Sequence, residues 1–271
     1  MRLSEAARLL REAGISTYRE EARRLFSHIE GAPEYTLIAS DPESTSEAFA
    51  EAVERRCKRE PLQYIIGEVG FYKETYKVTP DCLIPREDTE ILVDYAVKNL
   101  PRGARVLDLC TGSGCIAVST VKNLPESTAL ALDISEGALS VARENAEKNG
   151  VSHRVDFILR DVLSDAAPSG SFDVILSNPP YVKDSVYSEL EEELRREPRI
   201  AFVGGEDGGD FYRHITKAYS GSLKEGGFIA FEIGYDQRSL IEDIARAENM
   251  TCEVRLDLSG HPRVAILRHK S

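Results

Sequence analysis

The sequence has no run approaching the roughly 18 apolar residues that a membrane-spanning helix needs. Its opening, MRLSEAARLLREAG, mixes charge with Leu and Ala and lacks the apolar block of a secretory leader. Both absences predict a cytoplasmic protein with no membrane partner. Cysteine is sparse and odd in number, and no C-x-x-C pair occurs, which argues against a disulfide framework and a structural zinc site. Cys57, Cys82, Cys110, Cys115 and Cys252 read instead as small apolar side chains in a reducing compartment. His28, His153, His214, His261 and His269 are scattered without ligand spacing, so no metal is expected. Positive charge is also short: 34 Lys and Arg against 46 Asp and Glu give a net charge of -12. A protein that grips a phosphate backbone usually carries a basic excess, so stable nucleic-acid binding is not expected. An acidic surface suits a basic protein or a small cationic ligand. No internal repeat or low-complexity segment occurs.

What is present divides in two by periodicity. Residues 1 to about 60 read only as helices. Leu3, Ala6, Ala7, Leu10 and Ala13 share one helical face, and Tyr18, Ala22, Leu25, Phe26 and Ile29 share another. Ser44-Thr45-Ser46-Glu47 has the form of a capping box ahead of the stripe Phe49, Ala52, Val53 and Cys57. Breaks fall at Gly14, Gly31-Ala32-Pro33 and Asp41-Pro42. Next, Glu68 to Tyr72 and Thr75 to Val78 carry β-type residues around Lys73-Glu74, the pattern of a hairpin. Asp88 is placed to cap a helix that turns Ile91, Leu92, Tyr95 and Ala96 inward. The expected domains are a helical bundle over residues 1–62, a linking β-hairpin segment over 63–84 and an α/β domain over 85–271.

From residue 105 strand and helix alternate. Strands are expected at Arg105 to Leu109, Thr128 to Leu132, Val155 to Leu159, Phe172 to Ser177 and Phe228 to Ile233. Helices are expected at Cys115 to Leu124, at Glu136 to Asn149 and from about Gln237. The alternation implies a mostly parallel sheet covered on both faces. Two last strands, Glu253 to Leu258 and Val264 to Leu267, are separated by too few residues for a crossover helix and should pair antiparallel.

Ligands of such sheets sit beyond the carboxyl ends of the strands. Four polar clusters fall at those ends: Asp108-Leu-Cys-Thr-Gly-Ser-Gly114, Asp133, Asp161 and Asn178-Pro-Pro-Tyr181. Gly112 and Gly114 permit a tight turn and close backbone approach, and Asp133 is placed to accept both hydroxyls of a ribose. Gly112-x-Gly114-x-x-Ala117 with an acid about 20 residues on also fits a dinucleotide fingerprint, so a nicotinamide-dependent oxidoreductase stays open. S-adenosylmethionine is favoured because Asp108 would suit an ammonium group and would sit badly beside a pyrophosphate. Asp161 is placed to accept an adenine amino group.

Asn178-Pro179-Pro180-Tyr181 follows a strand. Neither proline can donate to the sheet, so strand pairing stops and carbonyls are freed for the site. An amide or aromatic amino nitrogen is a poor nucleophile with two N–H donors. The Asn178 side-chain oxygen and the Pro179 carbonyl would hold both donors, and Tyr181 would stack on the planar group. A methyltransferase acting on such a nitrogen is therefore expected, on a protein amide or on a nucleobase.

The chain resembles the bacterial peptide chain release factor N5-glutamine methyltransferases. The resemblance is carried by Pro61-Leu-Gln-Tyr-Ile-Ile-Gly67, Phe71-Tyr72, Leu83-Ile-Pro-Arg86 with Asp88-Thr-Glu90, Asp108 to Ala117, Ser177 to Tyr181, Gly204-Gly-Glu-Asp-Gly208, Glu232-x-Gly234-x-x-Gln237 and Gly260-x-x-Arg263. It implies the α/β class I S-adenosylmethionine methyltransferase fold, a Rossmann-like seven-stranded sheet with a small N-terminal helical bundle that docks the substrate. It implies methylation of the glutamine in the Gly-Gly-Gln loop of class I release factors, with S-adenosylhomocysteine as product. Cys110, Thr111, Gly112, Ser113 and Gly114 would then line the methionine part of the cofactor, Asp133 the ribose, and Asp161 and Val162 the adenine. Asn178, Pro179, Pro180 and Tyr181 would hold the glutamine amide. Arg86 would steady the substrate or the methionine carboxylate, or else pair with Glu87, Asp88 or Glu90. The chain departs from the family in Glu87, where a proline is usual, and in Cys110 and Cys115, where small residues are usual. The acidic run Glu189, Glu191, Glu192 and Glu193 reads as a solvated helix face.

Overall fold

The computed structural model describes residues 1–270, which pack as two compact units. One comprises residues 1–68 with residues 191–196, and the other begins at Val69 and resumes at Glu197.

The first unit is helical. Helices α1 (Leu3–Glu12), α2 (Tyr18–Glu30), α3 (Glu47–Cys57) and the short α4 (Leu62–Ile66) enclose Leu10, Ala22, Leu25, Phe26, Phe49 and Val53. These are the residues the 3.6-residue periodicity placed inward. Gly31 ends α2 in the left-handed region, φ 69°, where a side chain would be strained. The expected capping box does not form. Ser44 Oγ instead donates to Glu30 and accepts from the Ser46 amide at 3.0 Å, so no side chain caps α3. Arg56 is buried beneath this surface and donates to Glu21 at 2.5 Å and to Glu193 at 3.0 Å. The acidic run is therefore not one solvated helix face. Glu193 is spent on Arg56 and Arg59, next to a single 3-10 turn at Leu194–Arg196.

Strands β1 (Glu68–Phe71) and β2 (Glu74–Lys77) form the hairpin, and all of it but Glu68 belongs to the second unit. Helix α4 leads directly into it. Tyr76 of the hairpin is buried, and its hydroxyl lies 2.5 Å from Ser119 Oγ. Then follow α5 (Glu90–Asn99), β3 (Arg105–Leu109), α6 (Cys115–Asn123), β4 (Thr128–Asp133), α7 (Glu136–Lys148), β5 (Val155–Leu159) and β6 (Phe172–Ser177). The chain continues through α8 (Asp184–Tyr187), α9 (Asp210–Tyr219), β7 (Leu223–Glu232), α10 (Arg238–Ala247), β8 (Met250–Leu256) and β9 (Pro262–His269). Asp88 does not cap α5. A 3-10 turn over Glu87–Thr89 leads into the helix, and Asp88 pairs with Arg263 at 3.2 Å.

The sheet has seven strands in the order β5-β4-β3-β6-β7-β9-β8. All neighbours are parallel except those of β9, which runs antiparallel to both β7 and β8, as the short last connection required. Its strands alternate between two apolar layers. Val106, Val174 and Ala230 face Leu92, Ala96, Val118 and Val121 of α5 and α6, whereas Leu107, Ile175 and Ile229 face Tyr212, Ile215 and Tyr219 of α9 and Ile241 of α10. Helix α9 was not expected, although Phe211, Tyr212, Ile215 and Tyr219 carry the spacing of one. Strands winding outward both ways from β3 and β6 make the gap between these two the topological switch point, where open sheets of this kind bind ligands. Among the described residues no helix is long and apolar enough to cross a membrane.

Candidate active site

The register Leu109↔Ser177 sets the ends of β3 and β6 side by side, and Ser177 Oγ donates to the Leu109 carbonyl at 2.6 Å. Cys110 and Asn178 are thus the first residues beyond two paired strands. They open on one cavity of about 300 Å³, within the range of small-molecule sites. Gly112, Asp133, Asp161, Val162 and Pro180 line it as well. Leu163, Ile134 and Phe211 add apolar wall, as do Ile200, Ala201 and Val203.

The glycine turn is fixed by its neighbours. Asp133 Oδ2 accepts from the Gly112 amide at 2.8 Å, and Oδ1 from the Ser135 amide at 2.9 Å. A carboxylate offers about four acceptor positions, so acceptor capacity remains for a further donor at the cavity wall. Burial pushes the Asp133 carboxyl above its usual range, and the amide bonds oppose that. Gly114 has φ 80°, and a β-carbon on it would stand 3.0 Å from that of Ala142, so only glycine lets α6 start this close to α7. Asn145 of α7 donates to the Ser113 carbonyl at 2.9 Å and bonds both backbone groups of Lys77, tying the turn to the hairpin.

Cys110 holds φ 60°, a conformation a side chain adopts only at a cost. Asp108 lies behind the turn and is fully buried. Its Oδ2 accepts from Thr111 Oγ1 at 2.5 Å and the Ala117 amide at 3.2 Å, while Oδ1 has no partner. Burial raises its carboxyl to about 7. Asp108, Thr111, Ser113 and Gly114 therefore support the turn from beneath, whereas Cys110 and Gly112 face the cavity. Asp161 lines the cavity, with its oxygens taken up by the Leu163 amide at 2.9 Å and Ser164 Oγ at 2.7 Å. Arg86 pairs with none of Glu87, Asp88 or Glu90. It bonds the buried Glu197, which also accepts from the Ile84 amide at 2.9 Å. This pair fastens residues 84–86 to Pro198 at the cavity rim.

Asn178 is held from behind. Its Nδ2 donates to Thr89 Oγ1 at 3.3 Å, and Thr89 Oγ1 donates to the buried Glu232. The other Glu232 oxygen accepts from the Tyr181 hydroxyl at 3.2 Å. Burial raises the Glu232 carboxyl, against the pull of Thr89, Arg263 and Tyr181. Gln237 Nε2 donates to the Tyr181 carbonyl at 2.9 Å, and its Oε1 accepts from the Gly234 amide at 2.9 Å. Gly208, φ 79°, passes so close that a β-carbon would lie 2.2 Å from the Tyr181 carbonyl oxygen. The segments Gly204 to Gly208 and Glu232 to Gln237 thus brace the Asn-Pro-Pro-Tyr turn. Sequence reasoning gave Thr89 and Glu232 no role. The available signal was an acid inside the apolar strand Phe228-Ile229-Ala230-Phe231-Glu232-Ile233. Among the described residues no group of three or more His, Cys, Asp and Glu side chains is arranged to hold a metal ion.

Comparison with known proteins adds to this geometry. A family model described as "Methyltransferase small domain" matches residues 87–198, and one described as "PrmC N-terminal domain" matches residues 2–67. The chain is 40% identical over 257 residues to a release factor glutamine methyltransferase of Thermodesulfovibrio yellowstonii, covering 92% of this chain and 91% of that one. It is 38% identical over 251 residues to the protein of the same name from Moorella thermoacetica, covering 90% and 88%. Among solved structures, a methyltransferase from Pyrococcus furiosus has a TM-score of 0.53 at 19% identity, over 71% of this chain and 86% of that one. This last likeness concerns the fold.

Proposed function

The chain belongs to the release factor glutamine methyltransferase family, and from that premise we propose that it methylates N5 of the glutamine in the Gly-Gly-Gln loop of class I release factors, in the cytoplasm, with S-adenosylmethionine as donor. S-adenosylmethionine, when bound, supplies an electrophilic methyl group on a sulfonium sulfur. The observation that carries the reading is the opening of Cys110, Gly112, Asp133 and Asn178 on one cavity at the β3–β6 switch point.

The residues present fit that donor. Asp133 keeps acceptor capacity for the ribose hydroxyls. Val162 and Leu163 offer apolar wall to adenine beside Asp161. Asn178 Oδ1 and the Pro179 carbonyl accept the two N–H groups of the substrate amide. That grip aims the nitrogen lone pair and returns electron density to it. It also removes much of the orientational entropy of the encounter, a contribution worth several of the ~7–11 kcal/mol available to a fully positioned reaction. No strong base is required, because the methylated amide nitrogen is acidic enough to lose its proton to water.

The test is transfer of labelled methyl from S-adenosylmethionine to a purified class I release factor and to its Gln→Ala variant. Label is expected only on the unaltered factor. Asn178→Ala is expected to lower kcat at least ~100-fold, about 3 kcal/mol of lost positioning. Labelling of the Gln→Ala factor, or full activity without Asn178, contradicts the assignment.

A further inference from the structure

We infer that Thr89 and Glu232 are positioning residues for the reaction, acting through Asn178: a one-way hydrogen-bond relay from Glu232 fixes which end of the Asn178 amide faces the cavity. The inference rests on the function proposed above and deepens it.

The direction of the relay follows from proton count. Glu232 is buried at the end of β7 and, when ionised, its carboxylate is acceptor only. Thr89 has one hydroxyl proton, and its Oγ1 bonds Glu232 Oε2, so the proton lies on that bond. Only lone pairs of Thr89 remain for Asn178, 3.3 Å away. The group that meets them must be the Asn178 NH2. Its Oδ1 is then the end left for a substrate N–H. Flipping the amide would set oxygen against the Thr89 lone pairs and present an NH2 to the substrate NH2, donor against donor. Tyr181 uses the second carboxylate oxygen, so the same buried acid anchors both ends of the Asn-Pro-Pro-Tyr turn. Arg263, itself 3.2 Å from Asp88 and 3.3 Å from Asp257, is the cation whose charge acts on this acid.

Three variants separate orientation from packing. Thr89→Ser keeps the hydroxyl. Thr89→Val keeps the shape and removes it. Glu232→Gln keeps the size but supplies an NH2 that can donate to Thr89, which frees the Thr89 proton for Asn178 and reverses the relay. Two readouts are needed. One is kcat with a release factor as acceptor, alongside the Kd for S-adenosylhomocysteine. The other is the side-chain NH2 pair of Asn178 in 15N-resolved NMR spectra, assigned by its loss in Asn178→Ala, which requires no substrate. Thr89→Val and Glu232→Gln are expected to lower kcat at least ~10-fold with Kd within about threefold, the effect of one lost orienting hydrogen bond. Both should shift the Asn178 NH2 resonances, while Thr89→Ser matches the parent in kcat and spectrum. Wild-type kcat in Thr89→Val or Glu232→Gln overturns the relay, as does an unshifted NH2 pair or a Thr89→Ser loss as large as that of Thr89→Val. Should the parent enzyme fail to label a release factor, the proposed function falls, and the NMR comparison still decides the relay by itself.

Discussion

Asp108 offers the most quantitative test of the fold around the glycine turn. Burial raises its carboxyl from 3.8 to about 7, and its Oδ1 has no hydrogen-bond partner. Between these two values the folded state holds a proton that the unfolded chain has lost. Unfolding free energy therefore falls as pH rises through that window, the reverse of an ion-paired acid. With those two pKa values, raising the pH from 5 to 8 removes roughly 2–3 kcal/mol of stability through this group alone. Asp108→Asn abolishes the titration. Its side-chain oxygen can take the bonds from Thr111 and the Ala117 amide, leaving an NH2 at the unpartnered position. An unsatisfied neutral amide costs about 1–3 kcal/mol. The protonated parent buries an unpartnered O–H at the same position, so this cost does not separate the two proteins; the titration does, and the variant should gain roughly 2–3 kcal/mol on the parent between pH 5 and pH 8. Asp133, Glu197 and Glu232 are also raised by burial and titrate in both proteins, so they cancel in the comparison. The assay is urea denaturation of both proteins at pH 5 and pH 8 without ligand. Parallel pH dependence in the two would refute the claim that the buried Asp108 carboxyl holds an elevated pKa.

Two further outcomes are expected. Gly208→Ala forces a left-handed alanine against the Tyr181 carbonyl; the strain alone costs about 1–2 kcal/mol. The displaced turn should cut methyl transfer more than tenfold in rate assays, with cofactor affinity by calorimetry little changed. Arg56→Ala leaves Glu21 buried without its cation and should cost about 3–5 kcal/mol in denaturant titrations, whereas Arg56→Met, which refills the space, with Glu21→Leu beside it should recover most of that loss.

The parts of the site that were legible in the sequence lie where a local pattern stops. Asp133 closes an apolar strand and Asn178 follows one, and polar residues at such ends stand out against the run before them. Asp108, expected at the same kind of end, lies inside β3 and is buried behind the turn rather than at the cavity wall. All seven strands were legible as apolar runs, though β7 (Leu223–Glu232) and β8 (Met250–Leu256) both begin and end earlier than their apolar runs suggest. Helix α9 carries a helical period in Phe211, Tyr212, Ile215 and Tyr219, but the glycine-rich Gly204 to Gly209 before it has the composition of a loop and masks its start. Other features depend on pairings that one sequence does not display. Asn178 meets Thr89 across 89 positions, and Thr89 meets Glu232 across 143. Arg86 finds Glu197 rather than any of its near neighbours because Glu197 is buried and would otherwise lack a cation. The Ser44 to Glu47 box failed for a related reason: Glu30, a distant acid, competes for the same hydroxyl.

Cys110 has a chemical consequence of its own. Its sulfur lines the cavity in which the proposed methyl donor would bind, and a thiolate there would itself be open to methylation. Burial, with the charges of Asp133 and Asp108 close by, drives its acidity far below that of an ordinary thiol, so the reactive anion is suppressed. A thiol held in its protonated form is a poor nucleophile, so the Cys110 side chain is compatible with an electrophile bound beside it.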